Sequence, residues 1–131
     1  MPPKQKNGKK ILIIDGESMT YKTLKEILEY EGYVAITAQN GRDAIKICKE
    51  DSSIDFVTTG FRLAYYNGIE VAKKIKEMRP DIPIVLISGI ELKEISARPE
   101  YDESLFAGYI NKPMNLKPLL STIKKTIRLR K

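Results

Sequence analysis

Apolar and polar residues along the 131-residue chain fall into two alternating rhythms. Ile11-Leu12-Ile13-Ile14 is an unbroken apolar run, the pattern of a parallel strand buried on both faces. The period then changes. Tyr21, Leu24, Ile27 and Leu28 share one face of a helix expected over 18–31, with Ser18 as its N-cap and Gly32 ending it. A second strand is expected over 33–38, after which Asn40-Gly41 turns the chain into a helix at 42–50.

The alternation continues through the second half. A third strand is expected at 54–59, then a loop from Gly60 to Gly68 and a helix at 69–78 carrying Ile69, Ala72, Ile75 and Lys76. That helix ends before Pro80, and Pro83 introduces a fourth strand at 84–87. Pro99 forbids one regular helix across 91–106, which predicts a short helix, a break and a second helical turn. A short fifth strand follows at 108–111. The last helix, 115–129, places Leu116, Leu119, Leu120, Ile123 and Ile127 on one stripe. Five strands alternating with helices imply an α/β fold: a doubly wound, five-stranded parallel sheet inside a three-layer αβα sandwich.

Composition narrows the chemistry. With 42% hydrophobic and 31% charged residues, the chain reads as one ordinary globular domain over 9–131, preceded by a basic tail at 1–8. The start has charge but no signal-peptide hydrophobic segment, and no apolar run is long enough to span a bilayer, so a cytoplasmic location is expected. The absence of histidine excludes histidine-ligated zinc, histidine general bases and Ser-His triads. Cys48, the single cysteine, falls in a helical pattern with Ala44 and Ile45 and reads as a small buried hydrophobe. The net charge of +6 belongs to the ends: residues 1–10 and 124–131 hold nine lysines and arginines and no acid, leaving −3 over 11–123. Solvated tails are the preferred reading of that basicity, ahead of an anionic partner.

In open α/β sheets, function sits in the crevice beyond the carboxyl ends of the strands. Those ends carry Asp15-Gly16-Glu17, Gly60-Phe61-Arg62, Ser88-Gly89 and Lys112-Pro113. Taken singly, Asp15 could be a helix cap, Ser88 a turn residue and Lys112 a surface lysine. Together, an acid, a hydroxyl and a lysine at successive strand ends can converge on one small anionic group.

The stretches ILIIDGES, IDFVTTGFRLAYYNGIEVAKKIK, IPIVLISG and GYINKP resemble those of response-regulator receiver domains, with a flavodoxin-like (CheY-like) fold, over roughly residues 9–128. The resemblance implies an acidic pair after the first strand, a phosphoacceptor aspartate ending the third, Ser/Thr ending the fourth, and a Lys-Pro with a cis bond ending the fifth. Asp15, Ser88 and Lys112 match that pattern, and Tyr109 matches the aromatic switch position. Asn67-Gly68 fixes the register, which puts Gly60 at the acceptor position and Gly16 at the second acid of the pair. Ala64 stands where the following loop usually has proline.

Asp55 is no substitute acceptor. It lies five residues before Gly60, about 16 Å from the crevice at ~3.3 Å per residue, and the odd separation points it to the opposite face. Glycine offers no oxygen to attack phosphorus. Magnesium wants near-octahedral oxygen ligation, and with two carboxylates missing only Asp15 and Glu17 remain nearby. No cofactor is expected, and magnesium binding is expected to be weak or absent, with Asp15 at most a weak ligand.

These readings favour a pseudo-receiver: a non-enzymatic, phosphorylation-independent protein-interaction module of two-component (phosphorelay) signalling. Its partners would be a histidine kinase or an effector domain, or a second copy in a homodimer. The alternative is an anion or small-molecule sensor using the Lys112/Ser88 crevice. A flavodoxin-type electron carrier is disfavoured, since the segment from Asp15 to Thr20 poorly matches a Ser/Thr-rich phosphate loop. Sequence-specific nucleic-acid binding is also disfavoured, because one such fold uses nearly the whole chain and leaves no room for a helix-turn-helix. The nearest counter-charge for Lys112 is expected to be Asp15, at ~2.7–3.2 Å.

Overall fold

The computed structural model describes residues 8–112 and 116–129. Its elements in chain order are β1 (Lys10–Ile14), α1 (Ser18–Tyr30), β2 (Val34–Ala38), α2 (Gly41–Glu50) and β3 (Ile54–Thr59). They continue with α3 (Gly68–Met78), β4 (Ile84–Ser88), α4 (Leu92–Ser96), a 3-10 turn (Glu103–Leu105), β5 (Gly108–Asn111) and α5 (Leu116–Leu129). The five strands form one parallel sheet in the order β2-β1-β3-β4-β5.

The continuous apolar runs are explained by burial on both sheet faces. Ile11 and Ile13 of β1, Phe56 of β3 and Val85 and Ile87 of β4 pack against Leu24 and Leu28 of α1 and Leu119 and Ile123 of α5. The alternate residues Leu12, Ile14, Val57 and Ile84 pack against Ala44 and Cys48 of α2 and Val71, Ala72 and Ile75 of α3. This gives the three layers. Burial pushes the Cys48 thiol up to about 11, the behaviour of an inert core cysteine.

Local chemistry sets the ends of the helices. Gly32, at φ +98°, ends α1: its N–H donates to the Glu29 carbonyl while the Tyr33 N–H donates to that of Leu28, a Schellman closure. Asn40 caps α2 by accepting from the Asp43 N–H at 2.8 Å. Asn67 and Glu70 form a reciprocal capping box at the start of α3. Ser18 does not cap α1. The N-cap is Glu17, with no side-chain cap bond, and Ser18 is already in the first helical turn.

Pro99 acts as its position implies, since α4 is only five residues long and helical structure resumes only at Glu103. Asp55 is the extra residue of a bulge between β1 and β3, and its carboxylate accepts the Lys10 N–H at 2.9 Å. It sits at the end of the sheet remote from the crevice. Among the described residues, no helix is long and apolar enough to cross a membrane. The expected tail falls mostly on residues 1–7, and the expected cis bond falls on Pro113. Both lie outside the described residues.

Candidate functional site: the crevice at the strand ends

Four adjacent strands, β1, β3, β4 and β5, deliver the site side by side. Asp15 follows β1, and its N–H continues the ladder by donating to the Ala38 carbonyl at 3.0 Å. The Gly60 N–H donates to the Ile14 carbonyl at 2.8 Å, which seats Gly60 against Asp15. A Cβ on Gly60 would lie 3.3 Å from Asp15 Oδ2. Ser88 closes β4, and the Lys112 N–H donates to its carbonyl at 2.9 Å. Asp15, Gly16, Gly60, Ser88 and Lys112 thus line one depression of about 350 Å³, with Glu17 and Arg62 on its wall.

The floor beneath Gly60 is held by another glycine. A Cβ on Gly68 would lie 2.3 Å from the Gly60 carbonyl oxygen and 3.1 Å from Phe61 Cα, so only glycine lets α3 start this close to the end of β3. The loop between them stores strain. Tyr65 has φ +76° and the Tyr66 N–H donates to the Ala64 carbonyl, a tight turn of the disfavoured hand. Arg42 offsets that strain: its guanidinium carbon lies 4.0 Å over the Tyr65 ring, and Nη2 donates to the phenol oxygen at 3.1 Å.

Lys112 carries the electrostatics. Its Nζ lies 3.3 Å from Asp15 Oδ2, slightly beyond the expected range, and 2.6 Å from Glu17 Oε1. The shorter contact is therefore to Glu17, correcting the expectation that Asp15 is the nearest counter-charge. Glu17 overhangs the crevice because its own N–H donates to Asp15 Oδ1 at 2.9 Å, which clamps the turn after β1. The hydrogen bond and charge of Lys112 hold the Glu17 carboxyl below its ordinary value. Burial pulls the Lys112 amine down, but Glu17 and Asp15 together outweigh it and raise it above its ordinary value.

The remaining two groups face inward to the backbone. Ser88, 5% exposed, uses Oγ to accept the Ile90 N–H at 3.0 Å, so its hydroxyl also serves the turn after β4. The Tyr109 hydroxyl donates to the Ile90 carbonyl, bridging β5 to the same turn. Burial, then the charge of Glu91, raises the Tyr109 phenol above its ordinary value. Glu17 is the residue that sequence reasoning undervalued. Its signal was its place two residues after a crevice aspartate, at the start of a helix. Among the described residues, no group of three or more acids and cysteines is placed to hold a metal ion.

Residues 11–124 match the response regulator receiver domain model, and the chain belongs to that family. It is 25% identical to the response regulator MprA of Mycolicibacterium vanbaalenii over 91% of this chain but only 50% of that protein. It is 26% identical to the polar-differentiation response regulator DivK of Brucella anthropi, over 88% of this chain and 94% of that protein. The crystal structure of response regulator protein TrrA from Thermotoga maritima, in complex with Mg(2+)-BeF, superposes with a TM-score of 0.80 at 29% identity. That match covers 90% of this chain and 98% of TrrA. The chain is thus a receiver domain of the two-component signalling type, with the CheY-like flavodoxin fold.

Proposed function

We propose that this receiver domain signals without accepting a phosphoryl group, as a protein-interaction module that docks with a kinase or effector domain of a two-component system. The observation that carries the reading is Gly60, seated against Asp15 in the crevice where the resemblance calls for the acceptor carboxylate. A glycine there removes the nucleophile.

The donor set also fails to fit magnesium. Asp15 and Glu17 are the acids of the crevice, and Lys112 is within ion-pair distance of both. The cation position is thus served by an internal ammonium rather than by an octahedron of free oxygens. The same pairing counts against the anion-sensor alternative, since an anion would have to displace two carboxylates from Lys112.

Restoration tests the reading. A Cβ on Gly16 meets only the Gln39 carbonyl, at an ordinary 3.6 Å, and one on Gly60 requires Asp15 to yield slightly. The double variant Gly16→Asp/Gly60→Asp should therefore fold and gain magnesium-dependent phosphorylation by acetyl phosphate. Gly60→Asp alone should gain less. A folded double variant that stays unphosphorylated would show that more than two side chains separates this crevice from a working one.

A further inference from the structure

The break at Pro99 leaves a second depression that the crevice chemistry does not use. The chain leaves α4 after Ser96 and returns through the 3-10 turn, opening a cavity of about 460 Å³ between that turn, α4 and the β4–β5 floor. Leu86 lies at its base and Leu92 at its lip, with Tyr101, Phe106 and Tyr109 around it. The rings of Tyr101 and Phe106 stack at 6.1 Å with 21° between their planes, making one continuous aromatic wall. The volume falls in the ~300–1,000 Å³ range of small-molecule sites, and the lining combines a mainly apolar surface with few polar groups, as such sites do.

The charged residue lining this cavity is an acid. Glu103 lines it, and its carboxylate makes no hydrogen bond or ion pair among the described residues, only its backbone carbonyl accepting the Phe106 N–H. Next to it, Asp102 accepts from both the N–H and the hydroxyl of Ser104, at 3.0 and 2.7 Å, which holds its carboxyl below the ordinary range. Glu91 acts on Tyr109 from the α4 side. Lys73 of α3 acts on Asp102 from behind, but no lysine or arginine lines the cavity itself. We propose that this cavity is a binding site for a small aromatic amine, its ring against Tyr101, Phe106 and Leu86 and its ammonium toward Glu103. Tyr109 is shared between this wall and the turn after β4, where its hydroxyl meets the Ile90 carbonyl. An occupant would therefore press on the residue that links β5 to the crevice rim. The proposal stands whether or not the crevice accepts phosphate.

The test is a titration of the full chain with 2-phenylethylammonium, followed by backbone amide NMR, beside 3-phenylpropanoate as the anion of similar size. The expected result is saturable millimolar binding of the ammonium alone, with the largest shifts at Glu103, Ser104, Ala107 and Tyr109. The exposed variant Glu103→Gln should weaken it roughly fivefold, the most that one solvent-accessible charge pair usually contributes. Equal binding of the carboxylate, shifts centred on Ser88 and Lys112, no saturation, or an unaffected Glu103→Gln would each overturn the proposal.

Discussion

Lys112→Met removes the cation shared by two carboxylates of very different burial, and the structure ranks what each loses. The Asp15 side chain is 7% exposed, Glu17 69% and Lys112 22%. Breaking a fully buried pair costs about 3–5 kcal/mol, whereas exposed pairs contribute about 0–1 kcal/mol. Asp15 keeps the Glu17 N–H after the substitution, and the lysine was partly wetted, which places the expected loss at about 1–3 kcal/mol. In urea that is a fall in midpoint on the order of 1 M. The chain has no tryptophan, so far-UV circular dichroism is the suitable signal. Glu17→Gln should have little measurable effect, although its contact is the shorter one. Adding Asp15→Asn to Lys112→Met should recover part of the loss by neutralising the stranded charge. The reasoning is refuted if Glu17→Gln costs as much as Lys112→Met, or if Asp15→Asn recovers nothing.

Further outcomes follow from the Lys112 contacts and from the packing at Gly68. Lys112 holds the Glu17 carboxyl below 4.5, so this contact stabilises the fold above that pH and fades as pH falls through the lowered folded value. The amine's raised value makes its contribution present below 10.5 and lost as pH rises through the folded value. In Lys112→Met the Glu17 midpoint, followed by carboxyl ¹³C shift, should return toward 4.5; an unmoved midpoint would mean the two groups do not pair in solution. Gly68→Ala should destabilise by about 1–3 kcal/mol, because its methyl meets the Gly60 carbonyl and Phe61 Cα, backbone atoms that cannot rotate away. A neutral result in thermal melting would show that the α3 start has room to shift.

Most of the fold was legible because burial leaves a simple trace in this chain. Strands buried on both faces read as unbroken apolar runs, as in 11–14 and 84–87, and Asn40 and Gly32 marked helix ends through local hydrogen bonds that need no distant partner. Pro99 announced the short α4 for the same reason. The crevice members were readable as strand-end residues, and the structure brings Asp15, Gly16, Gly60, Ser88 and Lys112 around one depression. What escaped was partner choice. Glu17 and Lys112 are 95 residues apart, and their contact depends on how the turn after β1 is clamped by Asp15, which no sequence period records. The Ser18 expectation failed because the chain enters α1 one residue earlier, with Glu17 as N-cap.

The central claim, a receiver domain that carries no phosphoryl group, is tested most directly by intact-mass spectrometry after incubation with acetyl phosphate and magnesium. Because Gly60 supplies no carboxylate beside Asp15, the account predicts an unchanged mass at every time point. A stoichiometric, hydroxylamine-labile gain of one phosphoryl group, mapped to any crevice residue, would contradict it.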